Sequence, residues 1–213
     1  DVDGIYFTDP RKYSQAKKLK EIEYEEMLEL ASLGAQVMHS RSVELAQKYN
    51  IELYVGLSCS DIEGTYIRGS KDMKLEDKVI TGLATCDDDA AITIVDMKIE
   101  DVSRMFEKIA VDGVSIDMIS QTAPLNGKVN VSFTIPKDDL NECNDIVEKF
   151  VPRENIIIDE DITKFSLVGL GMKNTSGVAS KVFKIFSDNN ITVKLITTSE
   201  IRITCAINSS SKE

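Results

Sequence analysis

The sequence predicts a mixed α/β (α+β) chain in which one helix-and-strand module occurs twice. Residues 102–120 align with residues 179–197 without a gap, at a constant offset of 77 positions (183 − 106). Most of the apolar positions of the two copies match, for example Met105 with Val182. In both copies the helical spacing of apolar residues changes to the alternation of a strand at the same place. This duplication makes binding or regulation the first function to consider.

The part of the chain before the duplication has helix and strand patterns of its own. Met27 and Leu30 fall on one face of a predicted helix that carries acidic residues on the other face. Leu53 and Val55 alternate with polar positions, as in a strand. The predicted elements are a short strand and loop at 1–11, helices at about 24–34 and 36–49, strands at 51–57 and 64–67 around a turn at 61–64, and a polar linker at 69–77.

The two copies predict two small antiparallel sheets, each covered by helices on one face. Copy one predicts a strand at about 91–95, a helix at 100–111, strands at 114–121 and 128–136, and a helix at 138–150. Copy two predicts a strand at 165–170, a helix at 177–189, and strands at 191–198 and 201–207. The order β-α-β-β-α is that of a ferredoxin-like βαββαβ sandwich. Because copy two stops after its third strand, we expect it to be incomplete at its C-terminus.

Composition and charge exclude several classes of partner. The 213 residues suffice for one or two domains with a real core, and 42% of them are hydrophobic. The net charge of −11 repels nucleic acid and anionic membranes, so we expect neither as a partner. No apolar run approaches the roughly 18 residues of a membrane span, and the acidic N-terminus is unlike a signal peptide.

Cysteine and histidine usage favours a cytoplasmic protein without a metal site. Cys59, Cys86, Cys143 and Cys205 are scattered without a CxxC motif, which is typical of reduced thiols rather than of disulfides or metal ligands. His39 is the only histidine, which leaves little material for a histidine metal site or a Ser-His-Asp triad. The acidic residues 87–89 lack the spacing of a calcium loop and are interpreted as a solvated turn.

A series of strings along the chain carries a resemblance to one enzyme family. The strings are DVDGIY (1–6), DPR (9–11), YEEMLELA (24–31), GAQVMH (34–39), RSV (41–43), GT (64–65), VITGLA (79–84) and ITTSEIR (196–202). In this order they resemble the late part of the catalytic domain of aspartate kinases and the paired ACT domains that follow it. The resemblance implies a C-terminal segment of the amino-acid kinase domain at 1–70, a first ACT domain at 78–160 and a truncated second one at 161–213.

The family resemblance implies both a reaction and its control. Aspartate kinases use ATP with Mg²⁺ to convert L-aspartate to 4-phospho-L-aspartate, which leads to lysine, threonine and methionine. The phosphate loop and the aspartate-binding residues of the family precede the position of Asp1. We therefore expect this chain to hold no catalytic residue, to bind no cofactor tightly, and to be inactive alone. Most of its residues are expected to serve feedback inhibition, in a homodimer that pairs through the ACT domains.

The resemblance implies that the positions of Asp1, Tyr6, Arg11, Gln36 and Val37 bind ATP. Asp1 would contact the nucleotide, Tyr6 would lie against the adenosine, and Arg11 would approach the phosphates, which suit a planar guanidinium. From the residues alone, Asp9-Pro10-Arg11 is a turn with a solvated arginine. The family usually carries Lys where this chain has Gln36, so the nucleotide contact is weaker here or another cation replaces it.

An amino-acid effector is expected in the ACT region, with L-lysine or L-threonine as the ligand. In ACT domains a glycine-containing loop between the first strand and the first helix approaches the ligand's carboxylate. Copy two has such a loop at 169–178, whereas its counterpart in copy one, 96–101, is shorter, acidic and without glycine. The candidate effector residues are Asp117, Gln121, Met172, Asn174, Thr175, Gly177, Val178, Thr192, Val193, Thr198 and Ser199.

If the effector is lysine, its side-chain ammonium needs a carboxylate, and Asp117 is the best candidate. The matching residue of copy two, Lys194, would repel it. Taken alone, Asp117 is an exposed strand residue, and Thr198-Ser199 is an ordinary strand end. Two alternatives stay open: a stand-alone ACT sensor of amino acids, and an ACT region that only dimerises and binds no ligand.

Overall fold

A computed structural model of the protein describes residues 2–35, 37–69 and 79–212. Asp1, Gln36 and residues 70–77 of the predicted linker lie outside the described residues. The helices are α1 (Tyr24–Ser32), α2 (Ser40–Tyr49), α3 (Ile99–Val111), α4 (Leu140–Val147) and α5 (Val178–Asp188). The strands are β1 (Glu21–Glu23), β2 (Leu53–Val55), β3 (Thr65–Arg68), β4 (Gly82–Cys86), β5 (Asp89–Lys98), β6 (Ile119–Gln121), β7 (Lys128–Pro136), β8 (Ile156–Asp159), β9 (Ile162–Val168), β10 (Val193–Thr198) and β11 (Arg202–Asn208).

The chain divides into two compact units, each assembled from several segments. The first unit consists of residues 1–86, 165–185 and 198–204, and the second of residues 87–164, 186–197 and 205–213. The domain boundaries 1–70, 78–160 and 161–213 stay a prediction. Among the described residues, no helix combines the length and the apolar character that a membrane crossing requires.

A three-stranded sheet with the order β1-β3-β2 lies in the first unit. β1 runs parallel to β3, and β2 pairs with β3 in the antiparallel direction. The apolar stripe that predicted α1 is buried in the core of this unit, where Met27 and Ile67 are fully covered. α2 contributes Val43, and it ends at Asn50, which adopts the left-handed conformation of a helix C-cap.

Copy one forms a complete βαββαβ module in the second unit. Its sheet has the order β6-β7-β5-β8, in which β7 and β5 are the central pair. Counted within the module this order is 2-3-1-4, so the predicted ferredoxin-like arrangement of copy one is confirmed. Ile92 of β5, Met105 of α3 and Phe133 of β7 are fully buried in its core. The closing strand β8 was not among the predicted elements.

Copy two contributes β9, β10 and β11 to a sheet with the order β10-β11-β9-β4. The position next to the first strand of the copy, where copy one has β8, is taken by β4. This strand precedes copy one in the chain, and no strand was predicted there. The Thr81 N–H, just before β4, donates to the Val168 carbonyl with an N···O distance of 2.8 Å. β4 therefore supplies the fourth strand of this sheet.

Several predicted elements have different ends in the structure, and two predicted strands differ most. The strand predicted at 114–121 is present only at Ile119–Gln121. The Met118 N–H donates to the hydroxyl of the buried Thr134 instead of joining a regular ladder. Within the short strand and loop predicted at 1–11, residues 5–7 form an irregular antiparallel ribbon with residues 17–19, in which the Leu19 N–H donates to the Ile5 carbonyl at 2.8 Å.

Candidate functional site

The N-terminal ribbon is the first candidate site and is anchored in the first unit by Thr65. The hydroxyl of this fully buried residue accepts from the Ile5 N–H at 2.8 Å and donates to the Leu19 carbonyl at 2.6 Å. Gly4 has a φ of +151°, and a Cβ atom there would lie 2.9 Å from the Thr65 hydroxyl. The glycine and the threonine of the sequence strings therefore hold the two sides of the ribbon together.

Charged and phenolic side chains form a network on the ribbon. The Lys18 ammonium lies 3.1 Å from the Asp3 carboxylate, which also accepts from the Tyr6 hydroxyl at 3.0 Å. The hydrogen bond from Lys18 lowers the pKa of Asp3, and the bond from Tyr6 adds to this. Burial and the bond to Asp3 raise the pKa of Tyr6. Tyr6 thus has its ring fixed and its hydroxyl engaged.

Arg11 lies in the turn of the ribbon, where it is exposed and paired with Asp9 at 2.8 Å. The hydrogen bond between them raises the pKa of Arg11 and lowers that of Asp9. Four lysines share this short stretch with Arg11 in a chain of net charge −11, namely Lys12, Lys17, Lys18 and Lys20. Cations gathered on one ribbon fit the phosphates of a nucleotide, so the residues present suit the predicted ligand.

The second predicted nucleotide-binding segment lies between α1 and α2. Val37 is partly buried and packs against the core of the first unit, and Gln36 lies outside the described residues. His39, the only histidine, caps α2 by accepting from the Arg41 N–H through Nδ1. Its role is therefore structural.

The predicted effector loop of copy two lies in the first unit and leads into α5. Residues 170–174 form a 3₁₀ turn, in which Met172 N–H donates to the Gly169 carbonyl and Thr175 N–H to the Met172 carbonyl. Gly177 has a φ of +80° immediately before the helix. Five predicted residues are thereby gathered at the N-terminal end of an eleven-residue helix: Met172, Asn174, Thr175, Gly177 and Val178. A helix start favours a carboxylate ligand.

Gly169, at the beginning of this loop, is required by the packing of the protein chain. A Cβ atom at this position would lie 2.2 Å from the Val79 carbonyl oxygen and 2.7 Å from the Ile80 Cα. Its φ is 176°, so the backbone is extended and the constraint is one of space alone. This glycine therefore makes room for the segment before β4.

Two acidic residues of α1 contact copy two, one just after the end of β9 and the other at the start of β11. Glu26 Oε1 accepts from the Leu170 N–H at 2.9 Å and from the Thr81 hydroxyl at 2.7 Å. Glu29 pairs with Arg202 at 3.1 Å. A cleft of about 400 Å³ lies beside these contacts and is lined by Glu25, Leu28, Glu29, Ser32, Ser40 and Ile201, none of which was predicted as a site residue.

Thr198 and Ser199, also in the first unit, lie at the end of β10 and are exposed. The Ser199 N–H donates to the Arg202 carbonyl at 2.8 Å, and its hydroxyl accepts from the Ile201 N–H at 3.4 Å. These bonds close the turn between β10 and β11. The arrangement is that of an ordinary strand end, and its role as a ligand contact stays a prediction.

Asp117 belongs to a charged cluster in the second unit. The ammonium of Lys164 contacts the carboxylates of both Asp117 and Asp89. Burial lowers the pKa of Lys164, but the hydrogen bonds to Asp117 and Asp89 outweigh it, so the pKa lies above its ordinary value. Lys164 and Asp89 are buried, whereas Asp117 is the more open member. The carboxylate predicted to receive an effector's ammonium thus already binds one.

The other predicted residues of the second unit lie on β6, on β10 or just before β10. Gln121 is exposed on β6, Thr192 is exposed before β10, and Val193 is partly buried at its start. Lys194, expected to repel a cation, pairs with Asp159 and also contacts the Asp161 carbonyl at 3.2 Å. These positions stay predictions as ligand contacts.

The copy-one counterpart of the effector loop is tied to the neighbouring hairpin. Asp96 has a φ of +59°, and its N–H donates to the side-chain oxygen of Asn130 at 3.0 Å. Its carboxylate lies 3.2 Å from the Lys128 ammonium. The Ile99 N–H donates to the Gly127 carbonyl at 3.1 Å. Protein groups therefore already bind the Asp96 N–H, the Asp96 carboxylate and the Ile99 N–H of this loop.

The acidic residues 87–89 also contact protein groups. Asp87 accepts from the Thr163 hydroxyl and lies 3.3 Å from the Lys212 ammonium, and Asp89 contacts Lys164. The part of the chain that the structure describes contains no group of three side chains arranged to bind a metal ion. All four cysteines are described, and none forms a disulfide. Burial raises the pKa of both Cys143 and Cys205 to about 11, so these thiols are unreactive at neutral pH.

Comparison with known proteins identifies the family. The amino acid kinase family model matches residues 1–56, and the ACT domain model matches residues 165–213. The aspartokinase of Helicobacter pylori (strain 26695) is 40% identical over 213 residues, which cover 97% of this chain and 53% of that protein. The chain belongs to the aspartokinase family. It spans about half the length of the curated aspartokinases that it matches.

Two solved aspartate kinases extend this comparison to the fold. The Synechocystis enzyme is 33% identical with a TM-score of 0.61, over 99% of this chain and 39% of that one. The aspartate kinase of Clostridium acetobutylicum, an allosteric enzyme, has a TM-score of 0.85 at 24% identity, over 99% of this chain and 50% of that one. At that identity the second likeness shows the aspartokinase fold alone.

Sequence reasoning missed two residues that organise this aspartokinase chain. Glu26 follows Glu23 at the spacing of a capping box, and the structure shows both halves of that box. The spacing was a usable signal for a cap, but not for the bond to Leu170. Lys164 lies on the same face of β9 as the buried Ile162 and Val168, and a lysine at a core position signals a buried partner.

Proposed function

We propose that this chain is part of an aspartate kinase and comprises its regulatory region and the N-terminal ribbon that contacts the nucleotide. The whole protein would transfer a phosphoryl group from ATP, with Mg²⁺, to L-aspartate, and this chain would bind part of the nucleotide and the feedback inhibitor. The observation that carries the proposal is that an aspartokinase-family chain combines a cation-rich ribbon with an ACT loop in one compact unit. The cytoplasmic location stays a prediction.

The ribbon residues are proposed to position the nucleotide. Tyr6 would present its fixed ring to the adenosine, and Arg11 would donate hydrogen bonds to the phosphates. Phosphoryl transfer depends mainly on positioning and on positive charge near the phosphates. Lys12 and Lys18 supply further cations on the same ribbon and are candidates to replace the lysine that this chain lacks at Gln36. Asp1 and Val37 complete the proposed set.

Substitutions of two exposed arginines, Arg11 and the control Arg104, test this proposal. In the intact kinase containing this chain, we expect Arg11→Gln to lower kcat/KM for ATP about tenfold, the loss of one charged phosphate contact of about 1.4 kcal/mol. Formation of 4-phosphoaspartate is measured by trapping with hydroxylamine. Arg104→Gln is the matched control, because Arg104 is equally exposed and pairs with Asp101 at 2.9 Å. Equal kinetics in the two variants would contradict the assignment of Arg11.

The effector is proposed to bind at the copy-two loop. The start of α5 after Gly177 offers backbone N–H groups to the carboxylate of L-lysine or L-threonine. Asn174, Thr175 and Thr198 would supply polar contacts nearby in the chain's first unit. Tighter binding of this effector to an inactive arrangement of the kinase would produce feedback inhibition.

Copy one is proposed to serve mainly assembly. Its counterpart loop has no glycine, and Asp96 is engaged by Lys128 and Asn130. This observation favours the dimerising role for copy one, whereas ligand binding is proposed for the copy-two loop. The homodimer through the ACT region belongs to this proposal.

A further inference from the structure

Glu26 is a buried carboxylate that joins three separate segments of the chain. It lies on α1 with 2% of its surface exposed. Its Oε1 accepts from the Thr81 hydroxyl at 2.7 Å and from the Leu170 N–H at 2.9 Å. Its Oε2 accepts from the Glu23 N–H at the start of the helix, at 3.4 Å. Burying a carboxylate is costly unless donors surround it, so all three contacts matter.

The three segments belong to different parts of the aspartokinase chain. α1 lies within residues 1–56, which match the amino acid kinase family, and Leu170 lies within residues 165–213, which match the ACT domain. Thr81 belongs to the segment between them. The bond from Leu170 to Glu26 therefore connects the regulatory segment directly to the kinase segment, inside the first unit.

The packing around this contact is tight. A Cβ atom on Gly169 would collide with the Val79 carbonyl oxygen at 2.2 Å, and one on Gly82 would lie 2.7 Å from the Leu30 Cδ1. Leu30 is on α1, one turn after Glu26. Since close-packed groups move together rather than deform, a shift of residues 169–170 is passed to α1.

Both ends of this connection lead to proposed sites. Leu170 opens the loop that contains Met172, Asn174 and Thr175. At the other end, α1 follows β1 directly, and β1 follows the cation-rich ribbon, which ends at Lys20. The Lys20 carbonyl accepts from the Tyr66 N–H at 3.0 Å, which fixes the ribbon to the same sheet.

We propose that Glu26 is the coupling residue through which effector binding at the copy-two loop changes the conformation of helix α1 and of the N-terminal ribbon. This inference rests on the proposed function of the loop as an amino-acid site. Glu26 is a positioning residue, since it bonds to Leu170 and is not among the residues proposed to contact either ligand. The neighbouring pairs are less suited to this role: Glu25 is exposed and 3.9 Å from Lys173, and Glu29 and Arg202 are both partly exposed.

Hydrogen–deuterium exchange of this chain tests the coupling, with L-lysine and L-threonine each added at saturating concentration. In the wild-type chain, we expect the bound amino acid to slow exchange in residues 170–178 and, about fivefold, in Tyr24–Ser32. In Glu26→Ala the loop keeps its protection and the response of α1 disappears. In Glu26→Gln, which weakens charged hydrogen bonds but keeps the shape, the response of α1 falls at least about threefold.

Control variants distinguish a loss of coupling from a general loss of folded structure. Glu44→Gln removes the same charge from an exposed position on α2 and should leave both responses unchanged. If Glu26→Ala does not fold, Glu26→Gln and Thr81→Val carry the test, because both keep side-chain volume. An α1 response equal in Glu26→Gln and Glu44→Gln, or absent in the wild type while the loop is protected, overturns the coupling role alone. No loop protection by either amino acid overturns the proposed effector site, and the coupling role with it.

Discussion

Lys164 shows how a single charge is accommodated in the interior of the second unit. Its side chain is 8% exposed and contacts two carboxylates, Asp89 and Asp117. An ion pair of this kind adds little over apolar residues, but removing one partner leaves a buried charge uncompensated. The buried Asp89 would be left in that state without Lys164.

Replacing Lys164 by Met is therefore expected to destabilise the protein strongly. We predict a decrease of about 3 kcal/mol in the free energy of unfolding at pH 7, measured by urea denaturation. Lys181→Met, on the exposed face of α5, is the control and should change the free energy by less than about 0.5 kcal/mol. A loss no larger than that of the control would show that the cluster is solvated and energetically unimportant.

The same residue predicts a pH dependence with a definite sign. Because the pKa of folded Lys164 lies above the ordinary 10.5, its charge contributes stability that is fully present below that pH. The contribution is lost as the pH rises through the folded pKa. The difference in unfolding free energy between wild type and Lys164→Met should therefore stay constant from pH 7 to 9 and shrink above about pH 10.5. A difference that grows in alkaline solution would contradict the assignment.

Among the elements, the loop between β9 and α5 is constrained by its first residue. Gly169 has an extended backbone, and the space beside it is filled by the Val79–Ile80 backbone. Gly169→Ala must move backbone rather than a flexible side chain. We expect a loss of about 2 kcal/mol of unfolding free energy, in the range of overpacked core substitutions.

Gly69→Ala is the matched control for this substitution. Its added Cβ would meet only ordinary contacts at 3.8 Å, from Asn50 and Tyr24. We expect a change within about 0.5 kcal/mol, measured by the same denaturation experiment. Similar stabilities of the two alanine variants would mean that the segment before β4 does not pack against Gly169.

The elements with strong local patterns were predictable from sequence. α3, β7 and α5 lie where apolar spacing placed them, because each buries one regular face in a core. β4 was missed, since its five residues have no alternation that stands out and its partner β9 is distant in the chain. β6 is shorter than predicted because the regular ladder ends where Asp117 and Met118 both bond to the single residue Thr134.

The candidate sites were predictable in the same uneven way. Tyr6 and Arg11 were found through a family string, and the structure places both on one ribbon. Glu26 and Leu170 are 144 residues apart, so no local spacing connects them. Asp117 was identified as an anion for a ligand, but its lysine partner lies on β9, 47 residues away. Contacts between residues that only the fold brings together could not be predicted from the sequence.

For the whole molecule, the sheet of copy one offers an edge for assembly. The edge strand β6 has all three residues exposed, and Ile119 is 51% exposed there. An exposed edge with unpaired backbone groups is a template for pairing with a second chain. We therefore expect a dimer of about 47 kDa, twice the 23.7 kDa of the chain, by sedimentation equilibrium.

A charge at this edge is expected to break the dimer. Ile119→Lys should sediment at the monomer mass, because edge lysines oppose strand pairing. Val111→Lys adds the same charge at the more exposed end of α3 and should leave the dimer intact. A dimer that survives Ile119→Lys would place the contact at another surface.

The proposed regulatory role requires that this chain binds a small amino acid in its ACT region. Isothermal titration calorimetry of the purified chain with L-lysine, L-threonine and L-methionine measures this most directly. We predict saturable binding heat with lysine or threonine. Gly177→Ala should lower the affinity for that amino acid at least fivefold, because it strains the left-handed residue before α5. The absence of binding heat and of any thermal shift with all three amino acids would contradict the regulatory role.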